Sequence, residues 1–336
     1  MLHEDLQPKF AVAMALPDLM KHRWFLRLAT LAANLTIKSK NVEGLNCTET
    51  SVASRDDGYA IRVRVYRPTD HTKDTSKLPV MLYIHGGGYI AGMPEIAHSA
   101  IEQFIKTRPC VLVAPDYRKA LTKPYPAGLN DCYDTILWAR ENAHSLGIDP
   151  DKVVVAGHSA GGGLAAAVTL KARDTQDFPI AFQLPIYPMI DDAQPDDPER
   201  AIDSPAWNTT MNKLGWQSYL ADLIKTGSEI PAYAAPIRNT DYSGFPPTIT
   251  FVGTLEPFYS ETVRYVDALG QAGVTVAYKE YEGCFHGFDS LAGDTAIGRD
   301  ALDFTYSNYA DFYDRYFDSQ TDSACTQVEQ PVDARL

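Results

Sequence analysis

The chain has 336 residues, of which 45% are hydrophobic and 22% charged, and it carries a net charge of −13. That length buries a sizeable core, in one large domain or a domain with a lid, while the acidic balance speaks against nucleic acid and against anionic membrane as partners, since both carry charge of the same sign. Five widely spaced cysteines, Cys47, Cys110, Cys132, Cys284 and Cys325, form no CxxC pair, so neither a disulfide framework nor a zinc site is expected, and reduced thiols in a cytoplasm are the default.

The start, Met1-Leu2-His3-Glu4-Asp5, is acidic where a secretory leader would be basic. The apolar run Trp24 to Leu35 is broken by Arg27 and is too short to span a bilayer. Residues 1–45 read as amphipathic helices. Leu16, Leu19, Met20, Trp24, Leu28 and Leu31 recur at steps of three and four, with Lys21, His22, Arg23 and Arg27 between them. A packed helix pair and part of a lid both fit this pattern.

From about residue 49 the pattern changes to strands. Ile61, Val63 and Val65 alternate with Arg62, Arg64 and Tyr66, the mark of a strand with one solvated face. Pro79 to Ile84 is a continuous apolar run, as in a strand buried on both faces, and it ends in His85-Gly86-Gly87-Gly88-Tyr89. A helix over Glu95 to Lys106, a buried strand over Val111 to Ala114 and a helix over Ala127 to Leu146, closed by Gly147, follow. Val153 to Ala156 and Ala181 to Ile186 are the next strands. Residues 190–230 interrupt the alternation: they are rich in Asp and Pro, then helical around Trp216 and Tyr219, and form a second lid candidate. Strands at Thr248 to Val252 and Val274 to Tyr278 enclose a helix over Ser260 to Gln271, and an amphipathic helix occupies roughly 295–317. This order predicts an α/β fold with a mostly parallel central sheet flanked by helices.

In such sheets the reactive groups collect at the carboxyl ends of strands. Val153 to Ala156 runs into Gly157-His158-Ser159-Ala160-Gly161, followed at once by helix-permissive Leu164-Ala165-Ala166-Ala167. Strand, tight turn and helix form the context in which a Gly-x-Ser-x-Gly serine stands clear of the sheet as a nucleophile. Glu256 lies just past the penultimate strand and His286 past the last. Serine needs an imidazole to take its proton, and the imidazole needs an anion on its other nitrogen. The glycines of His85-Gly86-Gly87-Gly88 leave backbone N–H groups unobstructed, and together with the Ala160 N–H they can meet an oxygen that becomes negative.

His-Gly-Gly-Gly, Val113-Ala114-Pro115-Asp116-Tyr117-Arg118, Leu146-Gly147-Ile148-Asp149-Pro150, the Ser159 segment and His286-Gly287-Phe288 together resemble the bacterial hormone-sensitive-lipase-like carboxylesterases, family IV of the α/β-hydrolases. The resemblance covers about residues 50 to 318. It implies an α/β-hydrolase fold with a helical cap and carboxylic-ester hydrolysis without a cofactor. The segments are then N-terminal cap helices at 1–45, a first core part at 46–189, a cap insertion at 190–230, a second core part at 231–318 and a flexible tail at 319–336. By motif position the resemblance makes Ser159 the nucleophile, His286 the base, and the backbone of Gly87, Gly88 and Ala160 the oxyanion hole. Glu261 matches a carboxylate that supports structure. The partner expected is a small-molecule ester in the cytoplasm, and a homodimer is left open.

The sequence departs from the family at three places. The triad acid, usually Asp before Pro, is Glu256, with Asp289 as runner-up on another loop. The residue before the serine, usually Asp, is His158. After Asp116-Tyr117-Arg118 the usual Leu-Ala-Pro-Glu is replaced by Lys119-Ala120-Leu121-Thr122. Tyr89, Trp207, Trp216 and Tyr219 are candidates to line an acyl or alcohol pocket, with the lid's own core as the alternative. His85 is expected to orient the glycine loop, His22, His71, His98 and His144 to take no part, and Cys284 to be a packed thiol. Asp191, Asp192, Asp196 and Asp197 are expected to form a solvated acidic loop, with no metal site.

Overall fold

The apolar runs become the inner strands of one sheet, because a segment apolar on both faces settles only between two layers of helix. The computed structural model describes residues 1–69 and 77–318. The expected tail at 319–336, together with His71 and Cys325, lies outside the described residues. The strands are β1 (Leu45–Ala53), β2 (Ala60–Pro68), β3 (Leu78–Ile84), β4 (Val111–Pro115), β5 (Ile148–His158), β6 (Phe182–Ile186), β7 (Thr248–Leu255) and β8 (Val276–Phe285), in the spatial order β1-β2-β4-β3-β5-β6-β7-β8. β2 is antiparallel to both its neighbours, and the remaining pairs are parallel.

The helices are α1 (Gln7–Met20), α2 (Arg23–Thr36), α3 (His98–Thr107), α4 (Ala127–Glu141), α5 (Ala143–Leu146), α6 (Ala160–Thr175), α7 (Thr209–Tyr219), α8 (Ala221–Thr226), α9 (Tyr259–Gln271), α10 (Phe288–Leu291) and α11 (Ala296–Tyr313). Strand alternation sorts the core into two layers. Val80 and Leu82 join α4 and α6 on one face, and Met81 and Tyr83 join α3 and α11 on the other.

Several expectations are corrected. β2 has no solvated face: Arg64 and Tyr66 are buried, because Arg64 donates to Lys40 O and Asn41 Oδ1 and the Tyr66 hydroxyl bonds His98 Nε2 on α3. The helix expected over 127–146 breaks at Asn142 into α4 and α5. Of the two readings open for the N-terminal helices, neither is decided by α2, on which Trp24, Leu28, Leu31 and Leu35 are 54–79% exposed. α1 commits its buried Ala13 and Pro17 elsewhere, and the Ala13 carbonyl accepts from the Ala206 N–H.

Candidate active site

Ser159, Glu256 and His286 each come one residue after a strand, at the carboxyl ends of β5, β7 and β8. Ser159 has φ 60° and ψ −123°, a strained backbone for a residue with a Cβ. Its N–H donates to Ile186 O at 3.0 Å, and its carbonyl accepts from Gly163 N–H at 2.9 Å and Met189 N–H at 3.1 Å. The flanking glycines permit the turn. A Cβ on Gly161 would stand 2.1 Å from Ile84 O, and one on Gly157 would stand 2.3 Å from Gly161 O.

Ser159 Oγ lies 2.8 Å from His286 Nε2. On the other side of the ring, His286 Nδ1 bonds Glu256 Oε2, and Glu256 Oε1 accepts from Gly253 N–H at 2.9 Å. The imidazole is gripped edge-on by Tyr187 and Phe258, with ring centroids at 4.8 and 4.9 Å. Asp289 is engaged elsewhere: the Tyr187 hydroxyl donates to both its oxygens, at 3.0 and 3.2 Å, and burial pushes its carboxyl up to about 6.

The loop after β3 lies against the serine, since a Cβ on Gly86 would fall 3.4 Å from Ser159 Cβ. Gly87 and Gly88 take φ 120° and 58°. The carbonyls of the loop are tied back. His85 O accepts from the Tyr117 hydroxyl at 3.1 Å, Gly86 O bonds His85 Nδ1 at 2.7 Å, and Gly87 O accepts from the Ile90 and Ala91 N–H groups at 3.0 Å. Among the described residues, neither the Gly87 nor the Gly88 N–H has an acceptor. Ala160 opens α6, where first-turn N–H groups lack helical partners.

Three of the four aromatic pocket candidates pack on one another. Tyr89 stacks on Tyr219 at 4.1 Å, meets Trp216 edge-on at 5.4 Å, and donates its hydroxyl to Met189 O. Trp207 instead lies over the glycine loop, where a Cβ on Gly88 would fall 2.1 Å from its indole. Glu261 is buried, and its Oε1 accepts from the Ile190 and Asp191 N–H groups, at 2.7 and 3.1 Å, just after β6. Burial raises its pKa well above the usual range. The acidic segment is not simply solvated. Asp191 is buried and paired with Arg200 and Arg264, Asp192 is paired with Arg238, Asp196 with Lys213, and Asp197 with Arg200. His158 Nδ1 bonds the Tyr83 hydroxyl at 2.9 Å, and burial holds its pKa down to about 4. Cys284 is buried and its thiol is pushed up to about 12. Among the described residues no cluster of His, Cys, Asp or Glu could hold a metal ion, and no helix is long and apolar enough to cross a membrane.

The sheet order, and a serine, imidazole and carboxylate in line at three strand ends, are those of an α/β-hydrolase. A model of the alpha/beta hydrolase fold family Abhydrolase_3 matches residues 81–290. Carboxylesterase NlhH of Mycobacterium tuberculosis is 35% identical over 253 residues, which cover 73% of this chain and 77% of that one. Esterase LipI of the same organism is 32% identical over 241 residues, covering 70% and 74%. A bacterial heroin esterase has a similar structure, with a TM-score of 0.81 at 29% identity over 93% of this chain and 98% of that one. The chain belongs to this family, and within it to the hormone-sensitive-lipase-like esterases, whose activity is carboxylic-ester hydrolysis.

Proposed function

We propose that the protein is a serine carboxylesterase that hydrolyses short- to medium-chain esters through an acyl-enzyme on Ser159. The observation that carries this reading is the hydrogen-bonded line Ser159–His286–Glu256 beside a glycine loop with free N–H groups. His286 Nε2 takes the Ser159 proton as Oγ attacks the ester carbonyl, and Glu256 holds the imidazolium that forms. The Gly87, Gly88 and Ala160 N–H groups face the oxygen as it becomes negative. His286 then gives its proton to the departing alcohol, and water repeats the attack and frees the acid. No cofactor enters any of these steps.

Residues 1–45 and 190–230 act as the cap. The bond from the Ala206 N–H to the Ala13 carbonyl, which joins the two segments, and Trp207 over Gly88 support this division. The indole beside the reacting centre favours small acyl groups. Four free thiols, Cys47, Cys110, Cys132 and Cys284, suit a reducing cytoplasm.

Ser159→Ala should lower kcat for p-nitrophenyl butyrate by roughly a millionfold without changing the melting profile. Hydrolysis at the wild-type rate by the folded variant would rule the reading out. A matched anilide, cleaved as fast as the ester, would reassign the enzyme to amidase chemistry.

A further inference from the structure

Lys119 follows Asp116-Tyr117-Arg118, and its side chain is turned inward, only 18% exposed. Its ammonium finds one acceptor for each of its three protons: Asp116 Oδ1 at 3.0 Å, the Tyr117 carbonyl, and His85 Nε2 at 3.2 Å. It also sits 4.1 Å above the Tyr117 ring, which stacks on His85 at 4.4 Å.

These contacts fix the state of His85. A carbonyl cannot donate, so the bond between His85 Nδ1 and Gly86 O places a proton on Nδ1. An ammonium cannot accept, so Nε2, facing Lys119, keeps its lone pair. His85 is therefore neutral with its hydrogen on Nδ1. Burial and the Lys119 charge both hold its pKa well below the usual histidine range.

The Gly86 carbonyl shares a planar peptide with the Gly87 N–H, and the two point in opposite directions. Anchoring the carbonyl on the His85 side turns the N–H to the other side. Between two glycines no Cβ limits the rotation of that plane, so the bond to its carbonyl counts for more than it would elsewhere.

We propose that Lys119 is a positioning residue of the oxyanion loop: by bonding His85 Nε2 it holds the Nδ1–H on the Gly86 carbonyl and so directs the Gly87 N–H at the ester oxygen. The proposal rests on the esterase reading above. Its effect falls on the transition state, because the negative oxygen exists only there.

The proposal carries a pH signature. Around the ammonium lie Asp116, which is also 3.4 Å from Arg62, and His85, with Asp131, itself paired with Arg118, and Cys132 close by. Burial is the largest influence, and it lowers the Lys119 pKa below the ordinary lysine value. Loss of that proton lets His85 move its hydrogen to Nε2 and release Gly86 O, so kcat falls as pH rises through the lysine titration.

The test is hydrolysis of p-nitrophenyl butyrate from neutral pH up toward the ordinary lysine value, about 10.4, by the wild type, Lys119→Met, His85→Asn and the double variant. Lys119→Met leaves Asp116 paired with Arg62, so no carboxylate is orphaned. It should lower kcat about 10- to 100-fold, somewhat less than removal of an oxyanion donor, with KM within about twofold. It should also lose the alkaline decline of the wild type, and cost little more in the His85→Asn background, because both changes break one link. A wild-type kcat and pH profile in Lys119→Met, or a full additional loss in the double variant, would overturn the proposal. An inactive wild type would instead remove the esterase reading. Should Lys119→Met fail to fold, His85→Asn decides alone: its alkaline decline disappears if the link operates and persists unchanged if it does not.

Discussion

Two buried carboxylates sit near His286, and their surroundings separate their roles. Glu256 bonds Nδ1 of the imidazole and is itself held by the Gly253 N–H, whereas Asp289 is bound by the Tyr187 hydroxyl. Glu256→Gln should lower kcat by on the order of 10⁴-fold, as for loss of a triad acid. Asp289→Asn should cost far less, and the reverse ranking in kcat would exchange the two assignments. Asp289 also carries a pH signature in stability. Its folded pKa, raised to about 6, lies above its unfolded value near 3.8. Its stabilising contribution is therefore complete below pH 4 and is lost as pH rises through 6. The wild type, compared with Asp289→Asn, should lose roughly 2–3 kcal/mol of unfolding free energy between pH 4 and pH 7; parallel pH dependences in urea melts would refute this. At this scale the proposed triad was legible because Ser159, Glu256 and His286 each follow an apolar run in the chain order Ser, acid, His. Tyr187 and Lys119 were not. An aromatic after β6 and a lysine after an Asp-Tyr-Arg run acquire meaning only once distant strands bring them to His286 and His85.

Among the elements, the β5–α6 turn tolerates least. Gly161 has Ile84 O where a Cβ would go, and backbone cannot yield as a flexible side chain can. Gly161→Ala should therefore abolish activity and lower the yield of soluble protein, measured beside wild type under the same expression. The α2 stripe lies at the other extreme. Leu28→Gln should shift stability by less than about 0.5 kcal/mol, as a surface change does, while Leu164→Ala, in the buried face of α6, should cost about 2–5 kcal/mol in the same urea melts. Equal losses would mean that α2 is packed. The parallel strands were readable because a continuous apolar run is local information. The burial of Arg64 and Tyr66 in β2 was not readable, because partners at 40–41 and on α3 decide it. The three- and four-residue spacing in α2 announced an amphipathic helix but did not say what, if anything, covers its apolar side.

Across the whole molecule, the first residues of the chain pack against the segment that carries His286. The His3 N–H donates to Gly283 O at 2.9 Å, the Ile297 N–H donates to Asp5 Oδ2 at 3.0 Å, and Leu6 is fully buried. Gly283 is three residues before His286 and has the Met1 carbonyl where a Cβ would stand. Removal of residues 1–6 exposes this seam and the pocket of one leucine, a loss of about 2 kcal/mol, and should lower Tm by about 3 °C. An unchanged Tm in calorimetry would show that the segment adds nothing to stability. The α/β-hydrolase architecture was legible from the alternation of elements, but this closure was not, because nothing in residues 1–6 names its partners some 280 residues away.

The central claim, that Ser159 is the nucleophile, is tested most directly with diethyl p-nitrophenyl phosphate, which a serine hydrolase attacks through Oγ, releasing nitrophenolate and keeping the diethylphosphoryl group. Stoichiometric nitrophenolate release, loss of esterase activity and a diethylphosphoryl mass on the peptide containing Ser159, all absent from Ser159→Ala, are the expected result. Labelling of another residue, or an esterase activity that survives full modification of Ser159, would contradict it.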